Sequence, residues 1–154
     1  MQLAKHFGAV VAGVCSRRNT AMARTIGATD VVDYTEEDFT QSGKQYDLIL
    51  DIAANRSLAD CSRVLKPNGV CAVVGFSTLG SLVKTMLFGR RTTKRDGKRI
   101  TLVSADNTMS QELVFLSGLL EAGEIVPVID GCYPLEKTKQ AFQYSEVEHA
   151  KGKV

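Results

Sequence analysis

Ser16, Arg17 and Arg18 stand in a row immediately after the apolar run of residues 9–15. Two planar guanidiniums beside a hydroxyl match the oxygens of a phosphate, because arginine presents its donors in a rigid fork that suits bidentate binding. Tyr34, at the end of the next apolar stretch, adds a phenol. Farther along, Ala53-Ala54-Asn55 and Gly75-Phe76-Ser77 follow two more apolar runs. The small residues there let a flat ligand approach the backbone. Asn55 also reads as a cap for the next helix.

Other chemistry is weakly represented. Cys15, Cys61, Cys71 and Cys132 form no CxxC pair, and only His6 and His149 are available, which argues against a zinc site. Cys15 and Cys71 lie inside apolar runs, where a free thiol behaves as a small hydrophobe, so a reducing compartment is expected. No Ser-His-Asp or Cys-His set is legible. Between Lys84 and Arg99 seven basic residues face one acid, Asp96, but Phe88 is the lone aromatic there. A mobile basic loop beside an anionic ligand fits this segment better than a nucleic-acid surface.

The rest of the chain must position these groups. At 154 residues, 44% hydrophobic and 23% charged, it has ordinary globular composition, and a net charge of +2 makes no case for nucleic acid. It contains no apolar stretch long enough to span a membrane and no visible signal peptide. Strands are expected at residues 9–15, 30–33, 46–52, 70–74 and 100–103, with a further one at 126–129. The runs at 9–15 and 46–52 are continuous rather than alternating, the habit of parallel strands covered on both faces. Helices are expected to end at Gly8 and to span residues 20–26 (Met22 and Ile26 inward), 57–65 (Leu58, Cys61 and Leu65 inward), 108–123 (Leu113, Leu116 and Leu120 inward) and 135–147 (Ala141 and Phe142 inward). Residues 36–41 read as a short acidic helical turn.

Strand and helix alternate, which implies an α/β fold with a doubly wound, mostly parallel, Rossmann-like sheet. Such sheets bind ligands at the carboxyl ends of their strands. In dinucleotide-binding folds an acid at the end of the ribose-facing strand accepts from a 2′-hydroxyl, whereas a cation accommodates a 2′-phosphate. Ser16-Arg17-Arg18 holds no acid, so the second case is expected.

The order and spacing of Gln2-Leu3-Ala4-Lys5, Phe7-Gly8-Ala9, Cys15-Ser16 with Arg18-Asn19, the segment from Ile26 to Tyr34, Tyr46 to Asp51 and Leu65-Lys66-Pro67-Asn68-Gly69 resemble the coenzyme domain of medium-chain dehydrogenases/reductases. The resemblance is nearest to NADPH-dependent quinone oxidoreductases and zinc-free alkenal or enone reductases, and it covers nearly the whole chain. It implies that Ser16, Arg18 and Arg17 hold the 2′-phosphate of NADPH, with Tyr34 at the same end. It implies that Ala53 and Gly75-Phe76 line the nicotinamide half. It also implies a homodimer through the strand from Ile100 to Val103 and a small-molecule quinone or enone substrate. The charge, the apolar-run lengths and the unpaired thiols read above give the expectation of no nucleic-acid or membrane partner and a cytoplasmic location, an organelle presequence aside.

The family opens this domain with a strand and a Gly-rich loop that have no counterpart here. Residues 1–154 therefore read as a partial dinucleotide-binding domain, inactive alone, without the first strand, the glycine loop and the N-terminal substrate domain. In the order 3-2-1-4-5-6 the first strand is central, and each unpaired buried backbone group would cost about 1–3 kcal/mol. Two alternatives stand beside the oxidoreductase reading. One is an S-adenosylmethionine-dependent methyltransferase, which Ser16 and the two arginines disfavour. The other is a catalytically silent remnant acting only by association.

Overall fold

The computed structural model describes residues 1–53, 56–74, 96–103, 109–147 and 150–154. They fall into two compact units, Met1–Glu36 with Thr108–Val154, and Glu37–Asn107.

In the first unit, helix α1 (Gln2–His6) stops as expected at Gly8, whose φ of 77° suits a residue without a Cβ. Strand β1 (Ala12–Cys15) is shorter than the apolar run that predicts it. It pairs in parallel with β2 (Asp30–Asp33), Ala12 opposite Asp30 and Cys15 opposite Asp33. Between them a 3-10 turn (Arg17–Asn19) leads into α2 (Thr20–Thr25), and Ala23, not Met22 or Ile26, is its buried residue. Only small groups lie deep here: Gly13, Ala23, Ala28 and Val32 are buried, while Val10 is 86% exposed. The expectation that this run is covered on both faces does not hold.

The second half of this unit holds α4 (Met109–Glu121) and α5 (Thr138–Val147), preceded by a 3-10 turn at Leu135–Lys137. The predicted inner stripe of α4 is wrong. Leu119 is 6% exposed and Leu116 half-buried, whereas Leu113 is 57% exposed and Leu120 also lies outside. Apolar residues cover more than one side of this helix (Leu113, Val114, Phe115, Leu116, Leu119, Leu120), so spacing alone does not choose the buried stripe. Gly123 ends the helix with φ 70°. On α5, Phe142 points out at 67% exposure; Ala141 and Tyr144 are the half-buried positions, and the Tyr144 hydroxyl donates to Asp130 Oδ2 at 3.1 Å. The expected strand at 126–129 reduces to one parallel bridge, Ile129 to Lys153.

The second unit holds the apolar core. Strands β3 (Tyr46–Asp51), β4 (Leu65–Val73) and β5 (Arg99–Leu102) form a parallel sheet in that order. Helix α3 (Leu58–Arg63) is capped by Ser57, whose Oγ accepts from the Asp60 N–H at 3.1 Å and donates to Asp60 Oδ2 at 2.5 Å. Ile49, Cys61, Val64, Leu65, Cys71 and Val73 form one buried cluster, edged by Phe39, Tyr46, Leu58 and Ile100. In β3, Ile49 is buried in it and Tyr46 packs at its edge; Leu48 and Leu50 face outward, so this strand too is covered on one face among the described residues. β4 is longer than expected because pairing resumes across the Asn68-Gly69 turn, with a register shift opposite Tyr46 and Leu48. Asn68 takes φ 62°, and a Cβ on Gly69 would lie 2.9 Å from the Lys66 carbonyl oxygen. The expected acidic turn at 36–41 is a 3-10 turn, Phe39–Gln41, capped by Asp38 through the Thr40 N–H.

The described strands thus form two parallel sheets, β1-β2 and β3-β4-β5, and β1 and β3 each have one paired edge.

Candidate functional site

Parallel pairing brings the ends of β1 and β2 together. The Tyr34 N–H donates to the Cys15 carbonyl at 3.1 Å, continuing the ladder one residue past β2. Ser16 and Tyr34 therefore leave the sheet side by side. Ser16 is half-buried and opens the Arg17–Asn19 turn; its carbonyl accepts from the Asn19 N–H at 2.8 Å, and its hydroxyl makes no capping bond. Thr20 Oγ1 closes the same turn on the Arg17 carbonyl at 2.9 Å. Arg17 and Arg18 project outward, and Tyr34 is 50% exposed rather than packed against α2. Asn19 contributes a buried Oδ1 that finds no hydrogen-bond donor among the described residues.

Two carboxylates accompany this cationic end, and sequence reasoning missed both. Asp33, paired with Cys15, accepts from the Thr35 N–H at 3.0 Å and the Thr35 hydroxyl at 2.7 Å through one oxygen. These two bonds, with the Arg17 charge and N–H behind them, hold its carboxyl below the usual range. Glu36 accepts from Arg17 Nη1 at 2.7 Å. Burial, with Asp33 adding to it, pushes the Cys15 thiol up, so this thiol is not an activated nucleophile. The signal for the acids lay in the pairing: parallel strands ending in register place residues 33–36 next to residues 15–18.

Ala53 belongs to the other unit, two residues past β3, and is exposed. Gly75 and Phe76 lie outside the described residues, as do Ala54, Asn55, His149 and the basic segment from Lys84 to Arg95. Of that segment's basic groups, Lys98 donates to the Ser62 carbonyl at 2.9 Å and Arg99 begins β5. Among the described residues no three His, Cys, Asp or Glu side chains converge as a metal site, and no helix is long and apolar enough to cross a membrane.

A family profile described as zinc-binding dehydrogenase matches residues 26–154. A chloroplastic NADPH-dependent alkenal/one oxidoreductase of Arabidopsis thaliana is 30% identical over 100% of this chain and 36% of its own length. A mitochondrial NAD(P)H oxidoreductase of Bos taurus is 30% identical over 99% of this chain and 43% of its own. The chain thus spans less than half the length of these relatives. Among solved structures, the quinone oxidoreductase of Coxiella burnetii superposes with a TM-score of 0.73 at 24% identity, over 98% of this chain and 45% of that one, which supports the Rossmann-like α/β fold. The match over most of its residues places this chain in the zinc-binding dehydrogenase family, among relatives named as oxidoreductases.

Proposed function

We propose that this chain is the coenzyme-binding part of an NADPH-dependent oxidoreductase that reduces quinones or activated alkenes. The observation that carries the reading is the convergence of Ser16, Arg17, Arg18 and Tyr34 at the common end of β1 and β2. Hydroxyl, guanidinium and phenol groups there suit a 2′-phosphate. Ser16 and Arg18 hold the phosphate, Arg17 adds charge beside it, and Tyr34 lies along the adenosine. Ala53, Gly75 and Phe76 serve the nicotinamide half. The bound cofactor supplies the hydride, and the residues of this chain supply position and electrostatics. No residue here is assigned as acid or base.

The relatives' names support a nicotinamide cofactor and redox chemistry. The family match, together with the arginine doublet, displaces the methyltransferase reading. We read the chain as zinc-free, since its four cysteines and two histidines lack zinc-ligand spacing. We assign self-association to β5, where Leu102 and the following Val103 are exposed at the edge of the paired sheet. A reducing location, cytoplasmic or within an organelle as for the chloroplastic and mitochondrial relatives, suits the unpaired thiols.

The test is a backbone amide titration of the chain. NADPH is expected to shift Ser16, Arg17, Arg18 and Tyr34, with NADH shifting them far less. Shifts confined to other segments, or no binding of either nucleotide, would overturn the assignment.

A further inference from the structure

We propose that Glu36 tunes how strongly this site distinguishes a 2′-phosphate from a 2′-hydroxyl, by holding Arg17 and cancelling its charge. This rests on the reading of the β1–β2 end as a phosphate site.

Glu36 sits in a built turn rather than on a loose loop. Its N–H donates to the Asp33 carbonyl at 3.1 Å, and the Asp33 side chain fastens Thr35 inside the same four residues. That turn carries both Tyr34, whose N–H reaches the Cys15 carbonyl, and Glu36. Glu36 Oε1 then accepts from Arg17 Nη1 at 2.7 Å, while the Asp33 carboxylate accepts the Arg17 backbone N–H. Arg17 is thus anchored to β2 at both its backbone and its side chain.

The charge consequence is direct. Arg17 and Arg18 alone would present two positive charges to a phosphate. The carboxylates of Asp33 and Glu36 bring the formal four-residue sum to zero. A guanidinium has five donors, so Glu36 does not exhaust Arg17. It orients the guanidinium toward β2 and places a negative charge within a Debye length, about 8 Å at physiological salt, of any phosphate bound on Arg17. A ligand with only a ribose hydroxyl at this point carries no charge for Glu36 to repel. The carboxylate therefore weakens the phosphorylated ligand selectively. The ion pair is open to solvent, with the two side chains 80% and 62% exposed, so the effect is modest and sensitive to salt.

The experiment titrates adenosine 2′,5′-bisphosphate and 5′-AMP into the wild-type chain, Glu36→Gln, Arg17→Ala, Arg18→Ala and the Glu36→Gln/Arg17→Ala double variant, at low and high salt. Glu36→Gln is expected to tighten the bisphosphate on the order of threefold at low salt, the size an exposed pair commands, and to leave 5′-AMP unchanged. The gain should vanish at high salt and in the Arg17→Ala background. If Glu36→Gln leaves the bisphosphate unchanged while Arg17→Ala or Arg18→Ala weakens it, the role of Glu36 is overturned and the phosphate site stands. Weaker bisphosphate binding in Glu36→Gln would make Glu36 an organiser of Arg17 and would equally overturn the proposal. If neither arginine variant changes the preference for bisphosphate over 5′-AMP, or if no version binds either ligand, the phosphate reading itself falls and Glu36 with it.

Discussion

The two sheets are built from similar apolar runs but are stabilised differently. The β3-β4-β5 sheet, with α3, encloses a continuous cluster of six buried apolar side chains. The β1-β2 sheet buries mainly small residues and ends in a polar turn network around Asp33, Thr35, Glu36 and Arg17. The first arrangement fixes a fold. The second fixes the positions of exposed charged groups, which is what a binding end requires. Substitutions in the two places should therefore read out in different quantities, stability in one and ligand preference in the other.

Thiol reactivity should separate the regions most widely. Cys61 and Cys71 touch inside the core; their mutual hydrogen bond and burial push the Cys61 thiol well above its ordinary range. Cys132 is exposed. Labelling with a disulfide reagent should modify Cys132 at least about 10³-fold faster than Cys61 or Cys71, since reaching the latter requires opening that costs several kcal/mol. Comparable rates would show the core is not formed. Next in size, Leu65→Ala should lower unfolding stability by about 2–5 kcal/mol. Leu120→Ala, on the exposed side of α4, should stay within about 0.5 kcal/mol. Denaturant unfolding compares them, and equal losses would erase the distinction between the buried cluster and the outer face of α4.

Much of this was legible in residue order, but not all. The alternation of apolar runs with helical stripes yields five parallel strands in nearly the right places, and Gly8 and Gly123 mark helix ends correctly. Leu119 was missed because apolar residues lie on several sides of α4, so its period is ambiguous and packing alone selects the stripe. Burial on both faces was over-predicted for β1 and β3, since a run such as Leu48-Ile49-Leu50 specifies apolar character and not what covers it. In the site, Ser16, Arg17, Arg18 and Tyr34 were readable as strand-end residues. Asp33 and Glu36 were not, because their relation to Arg17 is set by the register between strands 18 residues apart, Cys15 opposite Asp33.

Two smaller effects sharpen the contrast further. Leu102→Asp, on β5, should shift sedimentation from dimer to monomer without unfolding the chain; an unchanged profile removes the strand-edge interface. Thr35→Val removes the hydroxyl that most lowers the Asp33 carboxyl, so that group should titrate closer to its ordinary value of 3.8. Because the folded value is depressed, this turn contributes stability above pH 3.8 that fades as the pH falls through the lower folded value. Titration of the Asp33 carboxyl by NMR, wild type against variant, reads the difference, and identical curves would remove Thr35 as the cause.

The most direct measurement of the central claim is calorimetric titration of NADPH and NADH into wild-type and Arg18→Ala chains. Loss of a charge-assisted hydrogen bond, about 1.5–3 kcal/mol, predicts that Arg18→Ala weakens NADPH roughly 10- to 100-fold and leaves NADH nearly unchanged. Equal losses for both cofactors would contradict the account.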